Sequence, residues 1–103
     1  MTKEKVGVVG VDAGIVWLGD PCYIMHKKKL PKTVGKDWEE FCNILGGEYP
    51  VRKQFNYELG HPGLGVVVGS GIGDGVYPVY ADVEEVPGWG KRVTKVWIDF
   101  FPK

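Results

Sequence analysis

The sequence predicts an α+β domain that is mainly β: a bent antiparallel sheet or small barrel of about six strands, with one helix inserted between strands two and three. Three observations carry this. Short β-branched or alternating apolar runs recur along the chain, each bounded by glycine, proline or aspartate. Sixteen of the 103 residues are glycine, about twice the ordinary usage of roughly 7% and without collagen periodicity, which marks many tight turns. One stretch alone has helical periodicity. Strands and helices do not alternate, which argues against a doubly wound parallel sheet.

The elements follow in order. Residues 6–11, Val-Gly-Val-Val-Gly-Val, read as a strand. Asp12-Ala13-Gly14 reads as a turn and Ile15-Val16-Trp17-Leu18 as a second strand, so the pair is expected to form a hairpin. Gly19-Asp20-Pro21 closes it, because Pro21 lacks an amide hydrogen and holds Asp20 extended. Cys22-Tyr23-Ile24-Met25 then continues as extended chain into a basic loop, Lys27-Lys28-Lys29 with His26 before it and Lys32 after. The helix is expected over residues 37–45. Trp38, Phe41, Cys42 and Leu45 fall at i, i+3, i+4 and i+7, placing Cys42 on the buried face. Asp37-Trp38-Glu39-Glu40 has the form of a capping box, and Gly46-Gly47 supplies the stop.

Residues 49–59 alternate, with Tyr49, Val51, Phe55, Tyr57 and Leu59 on one side and Arg52, Gln54, Asn56 and Glu58 on the other, as a half-exposed strand would. Leu64-Gly65-Val66-Val67-Val68 reads as a strand covered on both faces. A glycine-rich loop over 70–75 follows, then an extended run over 76–86, where Pro78 suggests an edge or a bulge. Pro87-Gly88-Trp89-Gly90 turns the chain into a last strand over 93–101. There Trp97 and Phe101 share a face with Lys95 and Asp99, so the helix, a neighbouring chain or a ligand is expected to cover them.

A chain of this length fits one domain, 1–103, able to bury a core without disulfides or metal. Thirteen basic residues balance thirteen acidic ones, so no net field draws in a polyanion, and nucleic acid is not the expected partner. Neither a secretion signal nor a run of membrane-spanning length is present, which predicts a cytoplasmic protein with Cys22 and Cys42 as reduced thiols. His26 and His61 lack the spacing to complete a zinc site with them, and no metal or cofactor is expected.

Catalytic patterns fail on particulars. The strand ending in Asp12-Ala13-Gly14 is similar to the phosphate hairpin of the actin-like ATPase fold, but the chain is too short for that fold's second phosphate loop. The run Gly69-Ser70-Gly71-Ile72-Gly73-Asp74-Gly75 fits neither dinucleotide nor P-loop spacing. No serine sits in a nucleophile elbow. Four glycines in seven residues still exceed what a turn needs, and exposed backbone amides suit an anion or polar ligand. Asp12, Asp20, Asp74 and Asp82 read first as turn or surface residues and second as metal or acid–base groups.

Asp12-Ala13-Gly14, Gly19-Asp20-Pro21-Cys22-Tyr23 and Gly75-Val76-Tyr77-Pro78-Val79-Tyr80, followed by the last alternating strand, resemble small β-rich proteins of bacteria and their phages. Those share a domain of unknown function with an SG…DP…G-x-YPV pattern. The resemblance spans both ends of the chain and not its middle third. Ala13 stands where the pattern has serine. It implies a β-rich fold and brings no catalytic residues.

These readings converge on a small, non-enzymatic binding protein. The expected site residues are Asp20, Tyr23, Ser70, Gly71, Asp74 and Tyr77, where two turns would meet around a small polar ligand. In a phage setting it would sequester a nucleotide-like ligand or block a host protein. Two other readings stand beside it: a metal-assisted hydrolase using the turn aspartates, and a structural or assembly module that forms a homo-oligomer.

Overall fold

The computed structural model describes residues 2–25 and 31–101. The basic run Lys27-Lys28-Lys29 with His26 lies outside the described residues. The strands are β1 (Thr2–Val11), β2 (Ile15–Leu18), β3 (Arg52–Asn56), β4 (Pro62–Gly69), β5 (Gly75–Val86) and β6 (Gly90–Ile98), with helices α1 (Cys22–Met25) and α2 (Trp38–Leu45) between β2 and β3. The protein is mainly β, as expected. Its strands pair into two three-stranded antiparallel sheets, ordered β1-β5-β6 and β2-β4-β3. The chain divides accordingly into two compact units, Met1–Gly14 with Ser70–Lys103, and Ile15–Gly69.

The expected β1–β2 hairpin does not form. β1 pairs with β5 and β2 with β4. Ladder length explains the choice, since β2 offers only four residues whereas β5 runs for twelve and pairs β1 along nearly its whole length. Asp12-Ala13-Gly14 is still a turn, with Gly14 at φ 70° and its carbonyl accepting the Ser70 amide at 2.9 Å.

In the first unit, the register places Val9, Tyr77, Val79, Ala81 and Ile98 on one face of the sheet. Tyr77 and Ala81 are buried there. Lys3, Lys5, Tyr80, Asp82, Lys95 and Trp97 share the opposite face. On it Tyr80 and Trp97 stack at 5.6 Å, with the Lys3 ammonium 4.3 Å from the Tyr80 ring and the Lys95 ammonium 4.8 Å from the Trp97 ring. Side chains of its own sheet, a cover not among those expected, thus flank Trp97. Asp82 is buried rather than exposed, 3.6 Å from the Lys95 ammonium.

Pro78 lies in the central strand, not at an edge or bulge. The Asp99 amide donates to the Pro78 carbonyl, so the side of Pro78 that lacks an N–H faces the last rung beside β6, where one missing bond costs least. The β5–β6 turn is the expected one, with Gly88 and Gly90 at φ near 80° and the Trp89 amide donating to the Val86 carbonyl. β6 ends at Ile98. Phe100 then meets Tyr77 edge-on at 5.3 Å, while Phe101 is largely exposed.

In the second unit, Phe55, Leu64 and Val67 form the core, each side chain contributing about 1.5–3 kcal/mol by burial. Trp17, Phe41, Ile44, Leu45 and Val51 pack around them. α2 begins where its cap dictates: the Asp37 carboxylate accepts the Glu40 amide at 2.9 Å, and Gly46 at φ 69° ends the helix. Its inward residues are Phe41, Ile44 and Leu45. Cys42 is exposed, contrary to the expected stripe, because each residue turns the helix by about 100° and carries Cys42 away from the direction Phe41 and Ile44 share. Trp38, also assigned to that stripe, is more than half exposed and lies 5.6 Å from the Phe41 ring, centre to centre.

The alternation over 49–59 overstates β3, which spans five residues. Tyr49 and Leu59 are exposed outside it. β4 is the central strand, yet only partly covered on both faces, since Val66 remains exposed. Gly65 on β4 leaves the space that the Trp17 ring fills.

Candidate functional site

The expected site residues fall in both units. Ser70, Gly71, Asp74 and Tyr77 belong to the first and Asp20 and Tyr23 to the second.

In the first unit, the 70–77 segment closes on itself. The buried Ser70 hydroxyl and the buried Tyr77 hydroxyl, the latter at 2.6 Å, both donate to the Gly73 carbonyl. Two donors on one carbonyl rigidify the loop and occupy both side-chain hydroxyls. Gly71, at φ 72°, has the Phe100 and Phe101 side chains so near that an added Cβ would sit 2.8 Å from the Phe101 ring. Asp74 is exposed.

In the second unit, Asp20-Pro21 starts a helix rather than continuing a strand. The Asp20 carboxylate accepts the Cys22 amide at 3.0 Å, Pro21 takes the first helical position, and the Met25 amide donates to the Pro21 carbonyl at 2.9 Å. The extended reading of residues 22–25 is thereby replaced by the single turn α1. Proline's fixed φ suits the first turn of a helix as well as a strand end, and Asp20 as cap decides for the helix. The Cys22 amide, and after it the Cys22 thiol, lower the Asp20 pKa below the ordinary carboxylate value.

That turn brings Tyr23 against Tyr57, edge to face, with ring centres 5.2 Å apart and planes at 72°. The Tyr57 hydroxyl raises the Tyr23 pKa, with a lesser contribution from the charge of Asp20, so the phenol stays neutral at physiological pH. Around the pair lies an open cleft of about 330 Å³, lined also by Pro31, Glu58, Leu59, His61 and Leu64. A tight turn builds its far wall: the Tyr57 amide donates to the His61 carbonyl and the Gly60 amide to the Tyr57 carbonyl, each at 2.8 Å. Glu58 is held in place by the Lys32 amide, which donates to Oε1 at 2.9 Å. A second, shallower depression of about 420 Å³ lies beside Asp20, Pro21, Cys22 and Met25.

Of the expected residues, Tyr23 lines the cleft and Asp20 caps the turn that carries it. Tyr57, Glu58 and His61 were not anticipated. The signal was present in Gly60-His61-Pro62-Gly63 directly after the Tyr57-Glu58 pair, a turn that folds polar and aromatic groups back on one another. Among the described residues, no three His, Cys, Asp or Glu side chains lie close enough to hold a metal ion. Among them too, no helix is long and apolar enough to cross a membrane.

Fold and cleft together define a mainly β protein with an open, small-molecule-sized concavity in its second unit. Compared with protein families, with characterised proteins and with solved structures, the chain matches none.

Proposed function

We propose that the protein is a non-catalytic binding protein that takes a small ligand in the Tyr23–Tyr57 cleft. The observation that carries this is the cleft itself. Its volume lies in the range of about 300–1,000 Å³ usual for small-ligand sites, and it pairs apolar walls with a few placed polar groups. The backbone amide of Lys32 holds the Glu58 carboxylate in a fixed place in the cleft lining, as a binding group needs. A nucleotide-like ligand fits this lining through its base, which can pack on a tyrosine. Its phosphates find no lysine or arginine side chain among the described lining residues.

Amide NMR titration and thermal-shift measurements against nucleosides, nucleotides, small amines and divalent cations test the proposal. At least one probe is expected to raise the melting temperature and to shift the Tyr23, Tyr57 and His61 amides, because a ligand of the native state stabilises it by mass action. If every probe leaves both readouts unchanged, the binding proposal fails and a protein partner becomes the better reading.

A further inference from the structure

Resting on the reading of this cleft as a ligand site, we infer that its ligand class is an organic cation: an alkylated ammonium group seated against the Tyr23 and Tyr57 rings and facing Glu58. Both tyrosines line the cleft with their ring planes at 72°, so a guest there meets two aromatic rings in different orientations. The face of an aromatic ring is the negative end of its quadrupole and attracts a cation placed over it.

Glu58 adds a full charge to this partial one. Its Oε1 accepts the Lys32 amide, which fixes the carboxylate, and Oε2 makes no hydrogen bond to the described residues. Pro31, Leu59 and Leu64 give methyl groups an apolar surround, which a strongly hydrated anion would lack. Among the described lining residues no lysine or arginine opposes a cation, and His61 is the one basic side chain among them. Asp20 lies on the turn that carries Tyr23 and adds to the negative balance. Anion recognition would need the reverse arrangement, with donors and cations converging.

The test compares choline with 3,3-dimethyl-1-butanol, the same shape without the charge, and with AMP, each followed by amide NMR at constant ionic strength. Choline is expected to bind at least tenfold more tightly than the neutral alcohol, with its shifts centred on Tyr23, Tyr57 and Glu58. Glu58→Gln should weaken choline several-fold without moving the melting temperature. Tyr57→Leu should weaken it tenfold or more, and Tyr57→Phe, which keeps the ring, should bind within a few-fold of the parent. Should Tyr57→Leu unfold the unit, Glu58→Gln and the neutral alcohol still decide the matter. Equal binding of choline and the alcohol overturns the inference. Binding of AMP without binding of choline overturns it while leaving the ligand-site reading intact, and silence from all three probes and from the wider panel removes both.

Discussion

Replacing Gly65 with alanine should destabilise the second unit through a single collision. The backbone at Gly65 is ordinary strand, so alanine introduces no conformational strain there. Its Cβ would lie 2.1 Å from Trp17 Cζ2 and 2.5 Å from Cε2 and Cη2. The indole has little room to retreat, since it packs on Phe55 at 5.5 Å and Phe41 at 6.5 Å. Gly19 confines its other side, where an added Cβ would sit 2.6 Å from the indole nitrogen. Overpacking of this kind costs about 1–3 kcal/mol, and a disrupted aromatic pair adds about 0.5–1.5 kcal/mol. Alanine recovers roughly 0.5–1 kcal/mol relative to glycine inside a strand. The net loss is therefore roughly 2 kcal/mol. With an m-value of about 1–3 kcal/mol/M for a small protein, the urea midpoint should fall by roughly 0.7–2 M at unchanged m. In a Trp17→Leu background the colliding ring is gone, so most of the penalty should vanish. A midpoint shift below about 0.3 M, or an undiminished penalty in that background, would refute the steric account.

Three further outcomes are expected. Asp37→Ala should lower stability by about 1 kcal/mol in urea unfolding while Asp37→Asn stays close to the parent, because only the alanine loses the acceptor for the Glu40 amide. Tyr77→Phe should cost about 1–2 kcal/mol, and Ser70→Ala added to it should cost more than its separate value, since both hydroxyls bond the same Gly73 carbonyl and only the second removal leaves it with neither. The lowered Asp20 pKa means that its contribution is present at neutral pH and is lost as pH falls through the folded-state value. An NMR titration should therefore place the Asp20 midpoint below that of an ordinary aspartate, with the Cys22 amide shifting in step, and Asp20→Asn should abolish that coupled shift.

Elements governed by short-range chemistry were legible in the sequence. The α2 cap, the glycine stop after it and the β5–β6 turn each depend on residues a few positions apart, and each stands where the spacing places it. β2 has the expected boundaries for the same reason, being closed by turn residues at both ends. Periodicity misled where it was read without its neighbours. Cys42 fits a helical stripe by number, yet the core contacts select Phe41 and Ile44 instead. Asp20-Pro21 fits both a strand end and a helix start, and only the bond from the Cys22 amide distinguishes them. Half of the cleft is not legible in the sequence, because Tyr23 and Tyr57 lie 34 positions apart and no local rule brings their rings together.

By itself, then, the sequence determined a mainly β chain of six strands with a capped helix between the second and third, together with the turns that punctuate it. Those features follow from backbone preferences and hydrogen bonds within a few residues of each other. Strand partnership was decided only by the tertiary structure: β1 joins β5 and β2 joins β4, giving two sheets where adjacency suggested a hairpin. Pairing is a competition among all strands for the longest ladder and the best-filled face, so it depends on residues distant in the chain, such as Gly65 making room for Trp17. The tyrosine cleft is a product of the same long-range packing.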